Sequence, residues 1–292
     1  MTFMRYLIAF CCCFSLLSTL PAQDLPAYQL FDSEGQAVDF QEMAKASADA
    51  DVVFFGELHN NPIAHWLQLE LTQALYDAKG GELVLGAEMF ESDNQLLLNE
   101  YLKGQISEKV FEDEARVWPN YQTDYKPLLS FAKENEIPFI ATNIPRRYAN
   151  LVFRSGFEGL EELSDVAKVY TAPLPVTYDP ELPGYKKMTE MMGGHGDGSG
   201  NLPKAQAIKD ATMAYFISQN LPGEGVFLHV NGSYHSDNKE GIIWYLLEEY
   251  APGARVLTIT TVEQSELNAL EEDHQGKADF TLVVNDKMTK TY

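Results

Sequence analysis

Beyond residue 13 the sequence contains no cysteine, which excludes disulfide staples, thiolate metal sites and a cysteine nucleophile from the rest of the chain. Basic residues are scarce as well: 21 Lys and Arg stand against 43 Asp and Glu, a formal net charge of −22. A surface of that sign repels phosphate backbones and anionic headgroups, which argues against nucleic-acid and membrane-surface binding. Residues 7–20 form an apolar run too short to span a bilayer comfortably. Several catalytic signatures are absent too: there is no Walker loop, no Gly-x-Ser-x-Gly elbow and no His-Glu-x-x-His. The glycine run at 193–200 follows a helical pattern and lacks dinucleotide-binding spacing. What is present is ordinary globular composition, 45% hydrophobic and 22% charged, long enough to bury a large core without staples.

Residues 1–22 read as an export signal, with Arg5 before the apolar run and Leu20-Pro21-Ala22 as a small-residue cleavage site before Gln23. An uncleaved anchor is the alternative. Cys11, Cys12 and Cys13 lie inside the run, but Phe10 occupies the position where lipid attachment wants a small residue, so a lipid anchor is rejected. Cleavage after Ala22 would remove Arg5 and no acid, leaving 20 basic against 43 acidic residues, a net −23. A cysteine-free exported chain suits an oxidising compartment, so the expected location is periplasmic or extracellular.

From residue 23 to 292 a single α/β domain is expected. Short β-rich runs at 51–55, 82–85, 137–142, 226–230, 254–260 and 280–284 alternate with helical patterns at 62–79, 92–102, 125–135, 145–154, 204–220 and 241–250. Several runs are nearly continuous Val, Ile, Leu and Phe, as strands covered on both faces require. The pattern predicts a largely parallel central sheet flanked by helices. Residues 144–224 hold no convincing strand and read as a helical insertion over the carboxyl edge of the strands.

Two runs end alike: Gly56-Glu57-Leu58-His59 follows one apolar run and Gly232-Ser233-Tyr234-His235 another, while Gly86-Ala87-Glu88 closes a third. In open α/β sheets the pocket lies beyond the strands' carboxyl ends, so Glu57, His59, Glu88 and His235 are expected around one cavity. The three glycines are read as allowing the turn and the approach of a ligand. Two histidines with carboxylates suit a divalent metal such as Zn, Mn or Co on His59, His235 and Glu88, or a general base at His59 oriented by Glu57 or Glu88. His65 and Gln68 are placed at the same mouth, and His229 in packing. Gln206, Asp210 and Met213 fall on one helical stripe, read as facing the pocket rather than solvent. Asn143 is a candidate ligand-binding residue, with a helix cap as the alternative. Arg146 and Arg147, cations at a helix start, call for a carboxylate or phosphate partner or for surface acids.

In order, Gly56-Glu57-Leu58-His59-Asn60 with His65 and Gln68, Gly86-Ala87-Glu88-Met89-Phe90, Asn143-Ile144-Pro145-Arg146, Ala205-Gln206 with Asp210 and Met213-Ala214, and Gly232-Ser233-Tyr234-His235 resemble the ChaN-like haem-binding uptake proteins of the Tiki and erythromycin-esterase superfamily. The resemblance spans about residues 35–285. It implies an exported haem or iron-porphyrin carrier in which a tyrosine binds iron and a histidine supports it, with haem as cofactor. It also implies an outer-membrane uptake system and a second copy of the chain as partners, and no nucleic acid. Tyr185 and Tyr148 are the tyrosines considered, with Met188, Met191, Met192 and His195 near the glycine loop for slot and ligand. Arg146, Arg147 or Lys186 would meet the propionates. The alternative the superfamily implies is a hydrolase, either a metal-dependent Tiki-like protease or an esterase, with Glu57, His59, Glu88 and His235 as its machinery.

Overall fold

The computed structural model describes residues 25–191 and 199–292; the segment 1–22, where an export signal is expected, with its cysteines, Met192, His195 and most of the glycine run lie outside the described residues. Eight strands form one sheet: β1 (Tyr28–Asp32), β2 (Ala37–Val38), β3 (Val52–Glu57), β4 (Leu83–Glu91), β5 (Phe139–Asn143), β6 (Val226–Gly232), β7 (Val256–Gln264) and β8 (Phe280–Asn285). Their order is β2-β1-β8-β7-β3-β6-β4-β5. The six strands from β3 to β8 run parallel, and β1 and β2 add an antiparallel edge that the sequence reading did not contain.

The chain builds outward from β3 through β4 to β5, then returns to place β6 between β3 and β4. Alternation explains how one strand serves two layers. Val53 and Phe55 of β3 point to one face, where Leu67, Leu71 and Leu75 of the Pro62–Ala78 helix cover them. Val52 and Phe54 point to the other, against Ile208, Ala211, Met213 and Ile217 of the Leu202–Ser218 helix and Ile242 and Ile243 beyond β6. Each of the larger apolar side chains here, fully buried, contributes roughly 1.5–3 kcal/mol.

Local chemistry fixes the helix that follows β3. The Asn61 side chain accepts from the amides of Ile63 (3.0 Å) and Ala64 (3.2 Å), Pro62 occupies the first turn, and Gly80 at φ +60° ends the run. Between β5 and β6 the described residues are helical or loop. The Leu202–Ser218 helix packs along the sheet face, and its first two turns, with the Pro183–Met191 helix, reach the carboxyl edge. Among the described residues no helix is long and apolar enough to cross a membrane.

Candidate functional site

The insertion of β6 between β3 and β4 brings three strand ends side by side. Glu57 closes β3 in register with Gly232 of β6. Glu88 lies where β4 bulges: Ala87 pairs with Ala141 and Glu91 with Asn143, so β4 carries extra residues at this point and its side chains are re-aimed. Asn143 donates to the Glu88 carbonyl at 3.0 Å and fastens the bulge from β5 instead of capping a helix. The Gly232 amide donates to Glu88 Oε2 at 2.8 Å.

The glycines make room for protein rather than for a ligand. A Cβ on Gly232 would meet His59 Cε1 and Nε2 at 2.8 Å, and one on Gly56 would meet the Ser233 backbone at 2.9 Å. The His59 ring therefore lies on the end of β6, and the turn carrying His235 lies on the end of β3.

Two buried polar chains hold the two histidines. In the first, His59 Nδ1 meets Glu57 Oε1 at 2.8 Å. Glu57, fully buried, also accepts from Tyr125 Oη (2.7 Å) and Gln68 Nε2 (2.7 Å). His65 does not reach the mouth. It is buried behind His59, with Nε2 3.1 Å from the His59 carbonyl and Nδ1 3.2 Å from Gln68 Oε1. Burial would depress His59, but the Glu57 bond and the nearby Glu88 charge outweigh it and its pKa is raised.

In the second chain His235 lies between two carboxylates, with Nε2 3.2 Å from Glu88 Oε1 and Nδ1 on Asp210. Tyr185 donates to Asp210 Oδ2 at 2.7 Å. Burial alone would discharge His235, yet Glu88 and Asp210 raise its pKa to about 10, so it is an imidazolium at neutral pH. Burial works against the Glu88 carboxylate in the same way. The His235 charge, His59 and the Gly232 amide overcome that and hold it well below the usual carboxylate range. By contrast His229, bonded to Thr142 (2.8 Å) and Asn231 (3.0 Å) inside the sheet, is pushed down by burial to about 4 and stays neutral as a packing residue.

These side chains open on one pocket of about 590 Å³. Glu57, His59, Glu88, Gln206 and His235 line it, and Asp210 supports it from behind His235. The 206–210–213 stripe therefore runs from the pocket into the core: Gln206 lines the cavity, while Met213 is fully buried and touches no ligand space. Tyr185 is likewise buried with its hydroxyl spent on Asp210, and burial beside that carboxylate raises its pKa far above the phenol range. Arg146 lines a different concavity, Lys186 is paired with Glu181 at 2.8 Å, and Arg147 with Asp93 at 2.6 Å. Met188 does line the pocket. Both nitrogens of His235 are spent on carboxylates, and no three His, Cys, Asp or Glu side chains among the described residues are grouped to hold a metal ion. His59, His235 and Glu88 as they stand do not fit a metal ligand set.

The sequence reading missed Lys209, Tyr234 and Tyr292, which complete the lining. Tyr234 sits inside the Gly-Ser-Tyr-His motif and is 44% exposed, so its position beside His235 was the available signal. Tyr125 and Trp118 were also missed. Trp118 meets the His59 ring edge-on at 4.9 Å between centroids.

The fold is similar to that of ChaN of Campylobacter jejuni, the subject of a structure describing cofacial haem binding. The two are 17% identical with a TM-score of 0.64, over 88% of this chain and 96% of that one, a likeness that establishes the fold. Among curated proteins, the chain is 26% identical over 203 residues to the chloroplastic Protein RETICULATA-RELATED 5 of Arabidopsis thaliana. That match takes in 64% of this chain and 27% of the plant protein, so the chain spans about a quarter of its relative's length. The family model described as haem-binding uptake, Tiki superfamily, ChaN matches residues 43–246, well over half of the chain, and the protein belongs to that family.

Proposed function

We propose that the protein is an exported haem carrier and that its cargo, an iron porphyrin, is taken at the pocket bounded by His59, Tyr234 and Tyr292. The observation that carries this reading is the state of His59. Its Nδ1 is fixed by Glu57, its Nε2 has no hydrogen-bond partner among the described residues, and its side chain is 35% exposed at the cavity. A histidine anchored at one nitrogen and open at the other is arranged to donate. Around it the cavity offers the exposed phenol of Tyr292, that of Tyr234 (which donates to the Gly184 carbonyl at 2.6 Å and keeps its oxygen lone pairs), the apolar side chain of Met188 and the Lys209 ammonium. That set matches the needs of a porphyrin: an oxygen or nitrogen donor, an apolar wall and a cation for a carboxylate. The volume of about 590 Å³ also lies within the range of cofactor sites.

In this reading residues 1–22 are an export signal cleaved after Ala22, the carrier works in the periplasm or outside the cell, and delivery to or from an outer-membrane uptake system and pairing of two copies belong with it. Titration of the purified protein with haemin tests it. A Soret shift saturating at micromolar concentration is expected, weakened in His59→Ala or Tyr234→Phe, and a spectrum identical to free haemin would overturn it.

A second reading, metal-free hydrolysis, rests on the same histidine. Held by Glu57 and raised in pKa, His59 is placed to take a proton from a water entering the pocket. Ester or lactone turnover abolished by His59→Ala, in protein that gives no Soret shift, would favour it over the carrier.

A further inference from the structure

Across Trp118 from the main pocket lies a second concavity of about 370 Å³, lined by Arg116, Arg146 and Arg147 together with Glu91 and Trp118. Three arginines around one hollow stand out in a chain with twice as many acids as bases. Two of them are held in place. Arg116 reaches Glu91 at 3.0 Å and also Asp93, and Arg147 reaches Asp93 at 2.6 Å while lying 4.4 Å over the Tyr148 ring. Arg146 has no carboxylate within 4.0 Å among the described residues. Counting the side chains at the hollow, three cations face two acids, and one positive charge is uncompensated.

Two further features make this arrangement costly without a ligand. Arg146 and Arg147 occupy the first turn of the Arg146–Ser155 helix, where the backbone dipole repels cations and no side chain caps the free amides. Arg116 adopts φ +49°, a left-handed conformation that side-chain-bearing residues avoid, and this backbone carries its guanidinium toward Asp93. The like charge gathered at this concavity is relieved by an anion.

We propose that this hollow is a binding site for a carboxylate or phosphate group, with Arg146 as its main contact and with Arg116 and Arg147 preorganised beside it by Asp93. Guanidinium groups suit such oxyanions because their paired N–H donors match two oxygens at once. The site stands on its own geometry and does not depend on the haem reading. The anion has two chemical sources: an acidic arm of the ligand in the main pocket, reaching past Trp118, or a separate small oxyanion.

The test is calorimetric titration of the whole protein with citrate and with inorganic phosphate at low ionic strength, without haemin. Saturable binding of at least one anion is expected. Arg146→Gln should weaken it about ten- to a hundredfold with an unfolding midpoint unchanged or slightly raised, since Arg146 has no partner to lose and opposes the helix dipole, and Arg146→Lys should recover only part of it. No saturable heat up to about 10 mM, or equal binding by Arg146→Gln, overturns the proposal. A second arm compares haemin with its dimethyl ester. If Arg146→Gln weakens haemin but not the ester, the anion is an arm of the porphyrin. If it weakens citrate or phosphate and leaves both porphyrins alone, the anion is a separate molecule. Absence of any haemin binding would count against the carrier reading alone, since the first arm decides the anion site without it.

Discussion

His235 holds two buried carboxylates apart, and replacing it with leucine removes the cation between them. Leucine approximates the ring's volume, so the perturbation is mainly electrostatic. In the native protein Glu88 Oε1 lies 3.2 Å from one ring nitrogen and Asp210 contacts the other, with both acids buried. Breaking a buried pair by removing one partner costs about 3–5 kcal/mol, a large share of the roughly 5–15 kcal/mol that stabilises a typical domain. Urea unfolding of His235→Leu at pH 7 should show that loss. The deficit should shrink at pH 5, where a stranded carboxylate can take up a proton and cease to repel its neighbour. The native protein's own pH dependence follows from the same pair. His235 is raised above its unfolded value, so its stabilisation is complete below about pH 6.5 and is lost as pH climbs toward about 10. Glu88 is lowered, so its share is present above its unfolded pKa near 4.5 and is lost only under stronger acid. Both describe one ion pair and are counted once. A His235→Leu deficit under about 1 kcal/mol at pH 7, or one of equal size at both pH values, would refute the reasoning.

Gly232→Ala places a methyl group 2.8 Å from the His59 ring and should weaken haemin binding by displacing that ring, measured as a rightward shift of the Soret titration. Tyr125→Phe removes the 2.7 Å bond to Glu57 and should cost about 1 kcal/mol in denaturant unfolding, leaving Glu57 with its bonds to Gln68 and His59. Mass spectrometry of the secreted or periplasmic protein should find Gln23 at its N-terminus; Met1 or a lipidated cysteine there would show the export reading to be wrong.

The strand-end histidines and glutamates were legible because polar residues directly after nearly continuous apolar runs have few roles other than at a pocket. Depth was not legible. Helical spacing put Gln206, Asp210 and Met213 on one stripe, but only packing shows that the stripe leaves the cavity within two turns and that Met213 belongs to the core. Tyr185 looked available because tyrosine tolerates exposure, whereas its hydroxyl is consumed by Asp210, 25 residues away. The link between Tyr125 and Glu57 spans 68 residues, and no local pattern encodes such a pairing. The antiparallel edge of β1 and β2 was missed because a five-residue and a two-residue strand carry little periodicity.

The late return of β6 has a consequence for how the protein is made. Strands from residues 52–57 and 83–91 cannot pair with each other, because their shared partner is the strand at 226–232. During synthesis, most of the sequence must therefore emerge before the centre of the sheet can close. Such long-range parallel pairing is slow, since loop-closure entropy is lost well before the contacts that offset it form. In the interval the edges of β3 and β4 stay open and sticky, which favours keeping the chain unfolded until β6 has been made. Closure of the sheet and assembly of the pocket are then a single event, and a chain cut short of β6 has neither.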